Sequence, residues 1–588
     1  MSDTQATPTT EEAVSQSGET AVTRHLCAGT YVDRPFRDLV IRKVHNAPYR
    51  RVAPSYGFDL VPVLRHAWHA WALETTLLAA VPGILLLTWS LGHRLAATLA
   101  ATGFILCSLL LFILRTAPEI IRLKVTLTAE EWQERTRKNG RWNDSTRLRK
   151  RIRWLKASLG AGAATSIFPW IASRLLNESL ESALPGLISI LFGVVMLAAT
   201  IGAIRQLLLN HIHANPTLRP SSLTSRERAV DAQQFHGCTV YRRPEGRGGE
   251  EYEEIRFLSP EENDLRSPFI GSGELVHRWI PPLTVQLLRP GNEGMTQRRH
   301  NSLPFNAHEL VDHLRTTIKG LDSGTGSGRM RGLQVTDRVY VAETDVSKDR
   351  SLLTEPLTPD RLAEIIDNPD EKADHFLVIT APYAEAELIT TVFLRVSIKS
   401  RTLSLEFSSC ALTRTLDDHR KIDAYAEHGK LAVARSALRE VVGLPSTIRR
   451  TPRLIQAPIF LICALWSRKD RSIRPRRGIH IGPRISIREN ASQDWLEISQ
   501  RDHDVIFDQM KIIEQWILKA TEEFLETHEV DTSTFKKQAV NIINSGVLNM
   551  GGKTEVNNSA IGRNSRTRNE SSGKPDDQGN QSQDTENK

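Results

Sequence analysis

The residues best suited to chemistry are two glycine-rich runs, two pairs of histidines and a few separate acids. Gly324-Thr325-Gly326-Ser327-Gly328 has the glycines of a phosphate loop, but no Lys-Ser or Lys-Thr follows it. A phosphate cradle needs the order strand, loop, helix, so that N–H groups of the first helical turn meet the anion. Here a helical pattern precedes the run and a strand pattern follows it, which makes it a linker. Phe269-Ile270-Gly271-Ser272-Gly273-Glu274 also lacks a following helix and reads as a turn before the strand-like residues 275–279. His211 with His213, and His66 with His69, each offer two imidazoles, whereas structural zinc takes four ligands and no Cys or carboxylate set joins either pair. Neither GxSxG nor HExxH occurs. Asp337, Asp417 and Asp418 are isolated acids that read as solvated surface. Glu74 stands inside an apolar stretch, where a carboxylate can carry ions, but it lies only about one helical turn from the end, within reach of water. No catalytic residue, cofactor or metal site is expected, and an enzyme with an unfamiliar site is a less favoured class.

The elements that would position any site are set by an uneven distribution of apolar residues. The 588 residues allow roughly two to four domains. The overall 40% hydrophobic content suits a soluble protein, yet apolar residues crowd between positions 71 and 204. A bilayer core about 30 Å thick takes about 20 helical residues. Residues 95–114 are twenty uncharged residues between Arg94 and Arg115. Residues 71–91 form another apolar run, with Trp68, Trp71 and Trp89 near its ends, where indoles favour the interface. Only Gly92, His93 and Arg94 separate these runs, which predicts an antiparallel hairpin. Residues 182–204 are twenty-three uncharged residues with Pro185 in the first turn. A fourth span is assigned to 157–173, rich in Gly and Ala, which pairs with the third.

Lys and Arg near span ends stay on the cytoplasmic side. Residues 21–70 hold eight against three acids and residues 116–156 hold twelve against five, while the connectors at 92–94 and 174–181 hold one each. Both termini and the basic connector are therefore expected inside. Five separate cysteines without a CxxC pair fit a reducing compartment. Directly before the 157–173 stretch, Arg147, Arg149, Lys150, Arg151, Arg153 and Lys156 form a cluster that sets topology and suits anionic lipid headgroups. Nucleic acid is not expected as a partner, since no reading motif accompanies the charge.

The expected fold is a polytopic α-helical membrane region, four spans as two hairpins (71–115 and 157–205), plus a cytoplasmic α+β domain (206–530) with a mixed or antiparallel sheet. A disordered stretch (1–20) and a basic segment (21–70) precede it, and a polar tail (531–588) follows, expected to be mostly disordered with a possible β-assembly segment at 540–562. Strand signals lie at 333–341, 376–380, 388–398 and 402–412, the last two forming a hairpin. Asn306 with Glu309 predicts a capping box, Thr358-Pro359 another helix start, and helices are expected near 427–442 and 503–527. Residues 454–467 are too short and apolar to place by pattern alone. Flanked by nine basic residues between 449 and 477, they lie in the membrane interface, dip into the inner leaflet beside the spans, or form a buried core helix.

In the tail, residues 540–562 set Asn, Ser and Gly among single aliphatics, as in stacked β-arches. The segment resembles the terminal amyloid-signalling motifs of bacterial immune-type receptors. Phe269–Glu274 and the residues Thr336 to Val341 resemble stretches of uncharacterised membrane proteins from high-GC Gram-positive bacteria, which implies a bacterial plasma membrane and no transferable activity. The expected role is a membrane-anchored interaction or signalling protein with the bilayer, a cytoplasmic protein or a second copy as partner. A transporter or channel subunit is the other class. Alkaline phosphatase fused after residues 93 and 178 should be active, and inactive after 140, 230 and 530; activity at 230 or 530 would reverse the orientation.

Overall fold

The computed structural model describes residues 20–133, scattered positions from 157 to 174, 180–215, 217–241, 269–291, 297–323, 330–342, 346, 350–368, 373–424, 428–473 and 481–544. Helix α1 (Ala21–Val32) is capped by Thr20, and a short helix, Arg34–Leu39, runs into a π turn. Helix α2 (Leu60–Ser90) has 31 residues, about 46 Å at 1.5 Å per residue and longer than a bilayer core needs. The excess is accounted for at its start. Leu60, Val63, Leu64, Ala67 and Ala70 belong to a protein core shared with α1, whereas Leu86 and Leu87 near its end are exposed. Asp59 caps the helix while fully buried. Its carboxylate accepts from Val61 N (3.0 Å), Gln234 Nε2 (2.9 Å) and Arg219 (2.7 Å).

After a break at 91–93, helix α3 (Arg94–Gln133) turns back, and helix α4 (Leu180–Ala214) packs against both. Among the described residues, these three helices are long and apolar enough to cross a membrane. Small and branched residues join them in one cluster, including Ala96, Ala100, Ile190 and Val194. The expected fourth span, 157–173, is described only at scattered positions, all of them helical, so a four-span count is not established. Helix α3 also runs beyond Arg115 into the connector, because a helix need not end where its apolar stretch ends.

Apart from several helical turns of three to six residues, the remaining described elements are α5 (Ser225–Gln234), β1 (Cys238–Tyr241), β2 (Glu274–Arg278), β3 (Leu283–Gln286), α6 (Ala307–Ser323), β4 (Gln334–Ala342), α7 (Pro359–Asp367), β5 (Ala373–Tyr383), β6 (Leu388–Lys399), β7 (Thr402–Leu412), α8 (Gly429–Ile448), α9 (Ala457–Trp466), α10 (Gln500–Thr527) and α11 (Ser533–Asn544). The sheet order is β1-β4-β5-β6-β7-β2, with β3 also on β7. Among the described strands only β1 with β4 is parallel, so the α+β part has a mixed sheet. Successive strand residues face opposite sides. On β5, Phe376 and Val378 belong to the core cluster that includes residues of α1 and α2, while Leu377 and Ile379 belong to the one that includes residues of α6, α10 and α11. The sheet is thus the middle of three layers.

The β6–β7 hairpin matches its sequence pattern, with Leu394 opposite Phe407 and the turn at Ser400 and Arg401 in the left-handed region that two-residue hairpins need. Helix α6 starts after Asn306 as expected, but the N–H of His308 is satisfied by Asp367 at 3.0 Å. Residues 454–467 are not a buried core helix, since no residue of α9 is buried. The possible β-assembly segment begins inside α11 at 540–544, and the rest of it lies outside the described residues.

Gly57 fixes the approach to α2. Its φ is +68°, and an added Cβ would lie 2.4 Å from Ile389 Cδ1. Gly57→Ala should destabilise the protein by at least about 1–2 kcal/mol from backbone strain alone, read as a lower thermal midpoint in detergent micelles. An unchanged midpoint would contradict this packing.

Candidate functional site

A cleft of about 1520 Å³ opens beside β4. Thr336, Asp337 and Arg338 of β4, His308 and Arg315 of α6, and Gln509 of α10 are among the residues that line it. Asp337 accepts from Arg315 at 2.8 Å and from His375 Nε2 at 2.9 Å. Burial pushes its carboxyl up, but the bonds from His375 and Arg315 outweigh burial and hold it below the usual range. His308 Nδ1 lies 2.5 Å from Asp367 Oδ2. Arg338 is 8% exposed and lies over the Tyr56 ring. It donates to His236 O and Thr239 Oγ1, each at 3.2 Å, and its Nε has no hydrogen-bond partner among the described residues. Burial, followed by the charge of Arg51, keeps His236 below its ordinary value. Asp337 and His308 are thus already paired, while His236 accepts from Cys238 N at 3.0 Å and its Nε2 has no hydrogen-bond partner among the described residues.

One wall of the cleft is the β5–β6 turn. Ala384, Glu385 and Ala386 have φ of 50°, 55° and 67°, three consecutive non-glycine residues in a region that costs about 1–2 kcal/mol each. Such strain persists only where surrounding contacts hold it. The next residue, Glu387, supplies the hold. Its Oε1 is 2.5 Å from His25 Nδ1 on α1, and it accepts from Thr415 N and Oγ1 at 3.1 Å. His25 Nε2 lies 2.5 Å from Asp423 Oδ2. Arg488, fully buried, donates to Glu387 O at 2.8 Å and Thr413 O at 2.7 Å. Burial alone would lower the His25 pKa, but Asp423 and Glu387 raise it. Burial would raise Glu387, yet His25 and Arg488 bring it down to about 2. The result is a buried ion-pair clamp between the cleft wall and α1, which packs on α2.

The structure places the sequence candidates variously. Asp337 is the one drawn into the cleft, as an ion-paired group and not as solvated surface. Asp417 and Asp418 do sit at the surface, paired with Arg420 and Lys421. Glu74 is 14% exposed and pairs with Arg34 (3.0 Å), Arg37 (2.6 Å) and Arg450 (3.3 Å), so its charge is already answered by three cations from two segments. The glycine run at 269–274 does form an anion-binding nest. Gly271 N and Gly273 N point at Glu489 Oε1, 2.7 and 3.0 Å away, and this internal carboxylate fills it. His66 bonds Tyr31 OH at 3.0 Å, and His213 stacks on His428. Among the described residues no group of three or more His, Cys, Asp or Glu is gathered to hold a metal. The run at 324–328 and the basic cluster Arg147, Arg149, Lys150, Arg151, Arg153 and Lys156 lie outside the described residues. His25 and Glu387 were not singled out by sequence, since 362 positions separate them.

Residues 281–557 match the AbeC-like domain family. The matched region contains β3 to β7, α6 to α11 and, with them, Arg315, Asp337 and Glu387. His25, Tyr56, Gly57 and His236, which complete the clamp and the cleft, come from the part of the chain before it. No curated protein and no solved structure matches the chain.

The clamp makes stability pH-dependent on both sides. His25 contributes below its ordinary 6.5, and that contribution is lost as pH rises through its raised value. Glu387 contributes above its ordinary 4.5 and is lost as pH falls towards about 2. Glu387→Gln should cost about 3–5 kcal/mol, as for any broken buried pair. In His25→Gln the fall of the thermal midpoint on raising pH above 6.5 should flatten; a wild-type slope in that variant would remove His25 from the clamp.

Proposed function

We propose that the protein is a non-enzymatic, membrane-anchored interaction or signalling protein. Four spanning segments, paired as two hairpins, hold the α+β domain against the inner face of a bacterial plasma membrane, with both chain ends in the cytoplasm. The observation that carries this reading is that α2 is a single helix, core of the sheet domain at its start and apolar and exposed further on. A tether would be a flexible linker. A helix shared by both parts transmits displacement, because packed interiors switch between discrete arrangements and do not stretch.

The twelve Lys and Arg of residues 116–156 support this side of the membrane, and the bacterial setting is part of the same proposal. In this reading the cleft receives a cytoplasmic protein or polar ligand, and its β5–β6 wall passes the event through Glu387 and His25 to α1 and α2. The ring of arginines on Glu74 favours anchoring over ion conduction. One observation favours an enzyme as the second reading: the cleft brings His308, Arg315, Asp337 and Arg338 to one place.

A photo-crosslinking residue at Gln334 or Asp508, both in the cleft, should trap in cells a partner that the same residue at Leu431 does not. A partner or ligand recovered unchanged supports the proposal, and a chemically converted one moves it to the enzyme reading. Solute flux through proteoliposomes above that of empty vesicles would replace it with transport.

A further inference from the structure

The most apolar short helix in the sheet domain is also its least covered. No residue of α9 is buried, and Ile459, Leu461, Ile462, Leu465 and Trp466 are all exposed. Exposed apolar area of this size on one element marks an interaction surface. Its surroundings say what covers it. Phe460 stacks on Trp71, the residue at which α2 leaves the protein core, with ring centroids 5.9 Å apart. Asn46 Nδ2 donates to Phe460 O at 3.3 Å, and Arg42 lies over the same ring. The helix is therefore held at the level where the apolar part of α2 begins.

The preceding helix, α8, reaches that level from the other side. It runs antiparallel to α4: His428 stacks on His213, Glu440 pairs with Arg205 at 3.0 Å, and Ser436 Oγ donates to Gly202 O at 2.9 Å. Gly202 allows this approach, since an added Cβ would be 2.8 Å from Ser436 O. Arg205 is the charged residue that closes the apolar stretch of α4. Leu444, two turns beyond Ser436, is buried in the cluster of the spanning-length helices, with Val441 and Ile448 packed against it. Arg450 then returns to Glu74. Helices α8 and α9 thus form a hairpin whose tip passes the rim of the apolar bundle and comes back. Exposed Arg449, Arg453, Arg468 and Lys469 lie around α9.

We propose that the α8–α9 hairpin is a re-entrant membrane element, with the exposed face of α9 seated in the leaflet on the sheet-domain side and its flanking cations on anionic lipid headgroups. The occupant is lipid because the apolar face adjoins α2 at Trp71, where the apolar part of that helix begins, and because basic residues border it as they do other interfacial helices. This proposal rests on the reading of α2 and α4 as spanning helices, and it makes the hairpin a second attachment of the sheet domain to the membrane, inside the region that matches the family.

The test uses the full chain with Cys107→Ser, so that exposed Cys463 on α9 can carry an environment-sensitive fluorophore, reconstituted in vesicles of phosphatidylcholine and phosphatidylglycerol. Blue-shifted emission is expected, quenched severalfold more by lipid-borne nitroxide than by iodide, and more by nitroxide on phosphatidylglycerol than on phosphatidylcholine. In the Arg453→Gln, Arg468→Gln, Lys469→Gln variant the preference between the two lipids should vanish. Water-like emission with iodide quenching, or oxidative crosslinking of Cys463 to Cys463 of a second copy, would overturn the proposal. The same fluorophore at Leu191→Cys, in a Cys463→Ser background, reports separately on α4. A Leu191 probe in lipid with a Cys463 probe in water defeats the hairpin alone, and both probes in water defeat the spanning reading as well.

Discussion

A helix that begins in a water-excluded protein core and continues as an apolar surface must have its first backbone groups answered before it leaves the protein. Helix α2 meets this requirement at Asp59, whose buried carboxylate caps the helix and is itself neutralised by Arg219 and bonded by Gln234. Orphaned N–H groups or an unpaired carboxylate at that depth would each cost several kcal/mol. The segments that supply the partners are thereby fixed in place. Arg219 follows α4, Gln234 ends α5, and Thr23 of α1 accepts from the Asp59 N–H at 3.1 Å. The first layer of the sheet domain is therefore assembled around the root of one apolar helix.

The second consequence concerns the sheet. Its central strands are buried on both faces, one by α6, α10 and α11 and the other by α1 and the root of α2. The cleft lies where the turn between two of these strands meets Tyr56 and Gly57, the residues leading into α2. Strained backbone at Ala384–Ala386 and the ion pair at Glu387 occupy adjacent positions, so a change at the cleft wall has few ways to relax that leave α1 undisturbed. The cleft wall and α1, which packs on α2, are therefore joined by buried contacts and not by a mobile linker.

Much of this was legible along the chain. The 95–114 and 182–204 stretches, the β6–β7 hairpin and helix α10 follow from composition and period, because each is a local pattern whose burial any compact fold would demand. Residues 21–70 were less transparent. Read as a basic segment, they carry Val22, Leu26, Phe36 and Val40 of the main core, since their basic residues lie between apolar ones and the average charge hides the buried face. The glycine run at 269–274 was legible as a turn, but not as a nest for Glu489, which is 216 positions away from Gly273.

Sequence by itself determined the class of the molecule: apolar helices of spanning length, a mixed α and β domain and an apolar, cation-flanked segment at 454–467. These are properties of contiguous residues, set by hydrophobic length, period and local charge. Tertiary structure alone decided which face that segment shows, how Glu74 is neutralised and which residues meet in the clamp and the cleft. His25, Glu387, Asp423 and Arg488 come from four separate segments, and each is individually an ordinary polar residue. Their meaning arises from distance in space and from burial, which raise the cost of an unpaired charge until only the paired arrangement is stable.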